Sequence, residues 1–149
     1  MASRYGLEIR AANAADAPGL AILLAETGLA VPAEALAERL EAMRSGTGVA
    51  LVAQEWGPPS GLVALHWYRS VTEGRPVAQI TTLLVGTEQR RRGIGRLLLK
   101  AASQAARTAE CDTLQLVAPP GLTVLADFCR ATGFTPGGPG FVRPLRKGR

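Results

Sequence analysis

The sequence predicts a layered α/β or α+β domain, a mixed sheet with helices on its faces. Three observations lead there. Short apolar runs of strand length interleave with longer stretches in which apolar residues recur at helical spacing. Their order is strand, two helices, three strands, helix, strand, helix, strand. The chain, 149 residues of which 47% are hydrophobic, is the length of one domain and can fill one core.

Taken in order, Leu7 to Arg10 alternates as a short strand and runs into Asn13 to Pro18, where Asp16 before Ala17-Pro18 signals a helix start. Leu20, Leu23, Leu24 and Thr27 then share a helical face, and Gly28 ends it. A second helix fits Ala33 to Arg44, with Leu36, Leu40 and Met43 on one side and Ser45-Gly46 as its stop. Val49 to Gln54 and Gly61 to Tyr68 flank the WGPPSG turn as a hairpin, and Val77 to Val85 follows the TEGRP turn. Ile94, Leu97, Leu98, Ala101, Ala102 and Ala105 make the apolar stripe of an amphipathic helix. Asp112 to Ala118 reads as a strand, Thr123 to Ala131 as a short helix closed by Gly133, and Phe141 to Leu145 as a last strand.

Composition narrows the function. No apolar run approaches the roughly 18 residues of a membrane span, so a soluble protein is expected. Nor does the start, MASRYGLEIRAANAADAP, hold the continuous apolar segment of an export signal, which points to the cytoplasm. In that compartment Cys111 and Cys129 are expected as free thiols. One histidine and two separated cysteines offer no metal cluster, so no metal is expected. The formal charge of +5 invites a nucleic-acid reading, but Arg143, Arg146, Lys147 and Arg149 crowd the last residues as a basic tail. What remains is Arg90, Arg91, Arg92 and Arg96, a compact patch suited to a small polyanion.

The stretch TEQRRRGIGRLLL therefore carries the argument. A strand ending near Val85, a tight loop and a helix beginning near Gly93 aim unpaired backbone N–H groups at one point, backed by the positive end of the helix dipole. Gly93 and Gly95 let an anion approach the backbone without a Cβ in the way, and the arginines surround it with positive charge. Cations at a helix N-terminus otherwise oppose the dipole by about 0.3 to 1 kcal/mol each, a cost that a bound anion removes. A nucleotide-binding Walker loop is ruled out because no Lys-Ser/Thr follows the glycines. A dinucleotide fingerprint fails at its third glycine, which here is Leu98.

Arg90-x-x-Gly93-x-Gly95 after an apolar strand resembles motif A, [QR]-x-x-G-x-[GA], of the GNAT superfamily of N-acetyltransferases. ITTLLVGTEQRRRGIGRLLLKAA looks like that family's fourth strand, pyrophosphate loop and third helix in unbroken sequence. LADFCRATGF, Leu125 to Phe134, is similar to its F-Y-x-x-x-G-F segment. The resemblance is strong over residues 77 to 134; residues 1 to 76 match in element order alone. It implies a mostly antiparallel twisted sheet of about six to seven strands, flanked by about four helices, with a V-shaped gap between the fourth and fifth strands. The whole chain, 1–149, is then one acetyltransferase domain.

The resemblance also implies the ligand, acetyl-coenzyme A, and the parts that hold it. The backbone of Leu83, Leu84 and Val85, whose side chains are expected in the core, pairs with the pantetheine arm. Arg90, Arg91, Arg92, Gly93, Ile94, Gly95 and Arg96 form the pyrophosphate loop. The implied chemistry is direct attack of a primary amine of a small molecule or peptide on the thioester. A lysine-like amine must first lose a proton, which costs about 4 kcal/mol near neutral pH, and the leaving thiolate needs a donor.

Two positions depart from the family pattern. Cys129 stands where many members carry the tyrosine that donates to the leaving sulfur, and its shorter side chain reaches that sulfur only through a water. It also reads as a small buried helix residue. Thr81 stands where relatives often hold a glutamate base, and the asparagine that some place before the fourth helix is absent, with Leu122 in its neighbourhood. The base is then sought among His66, Tyr68 and Glu73. His66 is the only histidine, and imidazole exchanges protons closest to neutrality. Trp56, Trp67 and Tyr68 are available to line an acceptor pocket or simply to cover the sheet. A coenzyme A-binding sensor without catalysis is the rival reading, and a nucleic-acid binder using the arginines is a third. Family members are often homodimers, which makes a second copy of the chain an expected partner.

Overall fold

β-Branched and leucine-rich alternation over the first 85 residues produces four strands that pair in sequence order. The structure, a computed structural model, describes residues 6–87, 93–117, 123–137 and 143–145. They fall in two compact units, Met1–Val117 and Ala118–Arg149. The first unit is built on β1 (Glu8–Ala11), β2 (Gly48–Gln54), β3 (Gly61–Tyr68), β4 (Val77–Val85) and β5 (Thr113–Leu116), hydrogen-bonded in that order. The first three pairings are antiparallel, and β4 with β5 is parallel. A parallel pair needs a crossover, and α3 (Ile94–Thr108) supplies it.

Helices cover both sheet faces. α1 (Ala17–Glu26) and α2 (Ala33–Arg44) close one: Leu20, Leu23, Leu24, Leu36 and Leu40 pack with Ala50, Val52, Leu62 and Ala64. Strand alternation turns Val63, Leu65, Ala78 and Ile80 to the other face, where α3 buries Ile94, Leu98, Leu99, Ala102 and Ala106. The buried stripe is thus rotated from the expected one: Leu97, Ala101 and Ala105 lie half-buried at its margin, and Leu99 and Ala106 are inside. Each fully buried leucine or isoleucine contributes about 1.5–3 kcal/mol.

α1 starts where expected, at Ala17 with Asp16 as its N-cap residue and Pro18 in the first turn, though the Asp16 side chain does not cap it; a 3₁₀ turn, Ala14–Asp16, comes first, capped by Asn13. The Asp16 carboxylate instead accepts Nη1 and Nη2 of Arg10 at 2.9 and 2.7 Å and the Asn13 N–H at 2.9 Å. The carboxylate thus completes a capping box with Asn13 while it holds a guanidinium on both of its oxygens.

In the second unit, α4 (Thr123–Ala131) runs over the expected span and ends at Gly133, where the Phe134 N–H donates to Cys129 O at 2.9 Å. Among the described residues the sheet has five strands, against the six to seven that the resemblance implies. The last strand expected, Phe141 to Leu145, lies partly outside the described residues, and 143–145 carry no strand. β5 is shorter than its expected Asp112 to Ala118 span, of which Ala118 lies outside the described residues.

Candidate active site

The geometry of β4 sets the site. β4 keeps β3 along its whole length, but its register with β5 ends at Ile80↔Leu116, so it runs on for five residues past its last β5 partner. At the same point β4 bulges: Leu65 faces Ile80 and Ala64 faces Thr82, leaving Thr81 as the extra residue. A bulge bends and twists its strand, and here it does so where the parallel neighbour drops away. Leu83, Leu84 and Val85 stand beyond the last β5 partner among the described residues; their side chains are half-buried rather than fully in the core, with β3 paired alongside them.

Beyond β4 the chain passes Gly86 and Thr87 and reaches the N-terminus of α3. Arg90, Arg91 and Arg92 lie outside the described residues. Gly93 is the N-cap of α3 in a left-handed conformation, φ +80°, and no side chain caps the helix. Gly95 is half-buried and Arg96 exposed, in the first turn, while Ile94 turns its side chain fully into the core. The first intrahelical bond is donated by the Leu97 N–H to Gly93 O at 3.1 Å, so the amides ahead of it face outward from the helix end. This arrangement fits an anionic ligand, with Ile94 as an anchor and its backbone as the donor.

On the α1/α2 face, next to the bulge, lies a row of polar side chains. His66 and Tyr68 are exposed because the two helices stop covering β3 after Leu65. His66 pairs with Gln79, and Gln79 with Gln115. Gln79 Nε2 donates to Gln115 Oε1 at 3.3 Å, and Tyr68 Oη approaches the same oxygen at 3.5 Å. Thr81 is exposed and makes one long contact, Oγ1 to Ala64 O at 3.5 Å. Thr81 follows two residues after Gln79, the cross-strand partner of His66. His66 also borders a shallow cavity of ≈ 210 Å³ with Met43, Gly46 and Thr47. Trp67, by alternation, projects from the opposite face, so it and Tyr68 do not line one pocket.

Cys129 belongs to α4 in the second unit and is half-buried. Burial raises its thiol pKa, opposed by the neighbouring Arg130 charge. It is therefore a thiol at neutral pH, able to donate a hydrogen bond and poor as a nucleophile. Glu73 lies exposed in the β3–β4 connection. Among the described residues no group of histidines, cysteines and carboxylates could hold a metal, and no helix is long and apolar enough to cross a membrane.

Sequence reasoning missed Gln79, Gln115, Glu26 and Thr87. Strand parity places Gln79 beside His66 once the register is known. Nothing in the local sequence marks Glu26, whose carboxylate reaches the N–H and Oγ1 of Thr87, both at 3.3 Å.

Comparison with known proteins agrees with this geometry. A protein of Agrobacterium tumefaciens str. C58 assigned to the acetyltransferases superposes with TM-score 0.81 at 25% identity, over 93% of this chain and 99% of that one. The aminoglycoside N-acetyltransferase AAC(6')-Iy, in complex with CoA, gives TM-score 0.81 at 18% identity over 94% and 95% of the two chains. The ribosomal-protein-alanine N-acetyltransferase of Brucella melitensis biovar Abortus 2308 gives 0.76 at 20% identity over 93% and 99%. No curated protein sequence matches. The profile of the acetyltransferase (GNAT) family matches residues 20–134, and the chain belongs to that family.

Proposed function

We propose that this protein is an N-acetyltransferase that moves the acetyl group of acetyl-coenzyme A to a primary amine of a small molecule or peptide, by direct attack in a ternary complex. The observation that carries the reading is the course of β4: bulged at Thr81, running past its last described β5 partner at Ile80, and leading to an α3 N-terminus capped by a left-handed glycine. The pantetheine arm lies along Leu83–Val85, and the diphosphate sits at Gly93–Arg96 with Arg90, Arg91 and Arg92. The fold likeness to an acetyltransferase in complex with CoA supports this placement.

The amine nitrogen attacks the thioester carbonyl, the C–S bond breaks, and the thiolate leaves with a proton from a donor. His66, through a water held by Thr81, accepts the proton that the ammonium must lose. Cys129 donates towards the leaving sulfur through a water, and its protonated thiol makes a covalent acyl-cysteine route unfavourable. Tyr68 lies on the acceptor side. The similarity of fold to an aminoglycoside acetyltransferase and a ribosomal-protein-alanine acetyltransferase supports an amine acceptor. The reading treats 1–149 as one domain working in the cytoplasm, as a homodimer; the family match spans parts of both compact units, which supports the single domain.

Calorimetric titration with acetyl-coenzyme A, against dephospho-coenzyme A and ATP, followed by a panel of amines, tests the proposal. Micromolar selective binding with turnover upholds it. Binding without turnover favours a coenzyme A-binding sensor, the second reading, for which the non-titrating Thr81 at the bulge speaks. No binding overturns both.

A further inference from the structure

The two residues that lead from β4 into the arginine–glycine loop are tied down from two directions. The Gly86 N–H donates to Ser60 O at 2.8 Å, and Ser60, itself buried, donates its N–H to Ala53 O at 2.8 Å. The hairpin turn that carries Ser60 presses against α1: a Cβ at Gly19 would lie 2.6 Å from Pro59 Cδ. α1 in turn ends at Glu26, whose Oε1 accepts both the N–H and the Oγ1–H of Thr87. Helix, hairpin turn and strand end thus meet around a cavity of ≈ 560 Å³ lined by Glu26, Trp56, Ser60 and Thr87 among others.

A carboxylate is an odd choice beside an anion-binding loop, since its charge repels a diphosphate. What it offers is a single oxygen that accepts two donors from one residue. We propose that Glu26 is a positioning residue for the coenzyme: by holding Thr87 from α1, it sets the direction in which the chain leaves β4 and so aims the amides at the α3 N-terminus. This rests on the reading that the loop holds the coenzyme diphosphate. Both contacts, at 3.3 Å, are long for hydrogen bonds, so the strap is soft and its effect is modest. The N–H groups of Gly86 and Thr87 are used inside the protein, which leaves the diphosphate to the amides that follow.

Acceptor and charge separate cleanly in the variants. Glu26→Gln keeps an acceptor oxygen and removes the repelling charge, so it binds coenzyme A as tightly as the wild type or tighter. Glu26→Ala removes the acceptor and weakens binding about five- to tenfold, the scale of one net hydrogen bond. Thr87→Ser matches the wild type. Thr87→Val, which keeps its N–H, falls between, and Glu26→Ala with Thr87→Val costs less than the sum of the two. At saturating coenzyme, turnover is unchanged, giving a KM effect without a kcat effect. Titration calorimetry with coenzyme A reads all of these, with melting temperature measured in parallel. Wild-type affinity in Glu26→Ala overturns the proposal, as does a loss in Glu26→Gln equal to that in Glu26→Ala; Thr87→Val decides if Glu26→Ala does not fold. A wild type that fails to bind coenzyme A overturns the functional reading instead.

Discussion

At the scale of single residues, Gly93 concentrates the binding argument. Its φ of +80° belongs to the left-handed region, and among the described residues nothing lies within 4 Å of where its Cβ would be. A side chain there is opposed by the backbone conformation alone, at about 1–2 kcal/mol. Gly93→Val is therefore expected to shift or splay the first turn of α3, costing coenzyme affinity far more than fold stability. Titration beside thermal unfolding checks this, and unchanged affinity removes the loop from the binding site. His66 makes a second case. Its exposure beside Gln79 and Thr81 predicts that His66→Ala lowers kcat about 10²- to 10⁴-fold with coenzyme affinity intact. Full turnover in that variant would eliminate it as the base. Asp16 serves stability instead: 8% exposed, its carboxyl is held below the usual range first by the Arg10 hydrogen bonds, with burial working against them and the Asn13 N–H adding to them. The sign follows: a depressed folded pKa contributes stability above the unfolded carboxyl value near 4, lost as pH falls through the folded value. Asp16→Asn should flatten the acid limb of the stability curve and cost about 1.5–3 kcal/mol at neutral pH, measured by urea unfolding.

At the scale of elements, legibility tracked how locally each signal was written. α2, β3, β4 and α4 match their sequence-derived spans because periodicity, turn residues and stops all lie within a few positions of their ends. The start of α3 at Gly93 was legible for the same reason: glycine and an apolar stripe are adjacent in sequence. The bulge at Thr81 was not legible, since it exists as a mismatch between two strands. Asp16 was legible as a helix start, but its ion pair was not, because its partner, Arg10, sits on another element. Glu26 and Thr87, 61 residues apart, were invisible for that reason. α3 illustrates the energetic side. Leu98 is fully buried, and its Cδ1 lies 2.8 Å from where a Cβ on Gly61 would be, so the helix rests directly on β3. Leu98→Ala is expected to cost about 2–5 kcal/mol and, on the proposed function, to loosen the coenzyme site with the fold, because the same helix carries the N-terminal amides proposed for the diphosphate.

At the scale of the whole molecule, charge sorts the acceptors. The chain carries a formal +5, and long-range fields act on association even where no contact is made. Coenzyme A is anionic, so its capture is aided by this field, whereas a polyamine or aminoglycoside is repelled as it approaches. Screening separates the two: the Debye length falls from about 30 Å at 0.01 M salt to about 8 Å at 0.15 M. Raising salt over that range should therefore weaken coenzyme binding while lowering KM for a polycationic amine, and leave KM for a neutral or zwitterionic peptide amine nearly flat. The uncharged row of Gln79, Gln115 and Tyr68 at the acceptor side adds no local field to reverse this order. Initial rates against salt at saturating coenzyme read the acceptor term by itself. If KM for the polycation instead rises steeply with salt, a local negative surface governs acceptor capture, and the net charge is irrelevant to specificity.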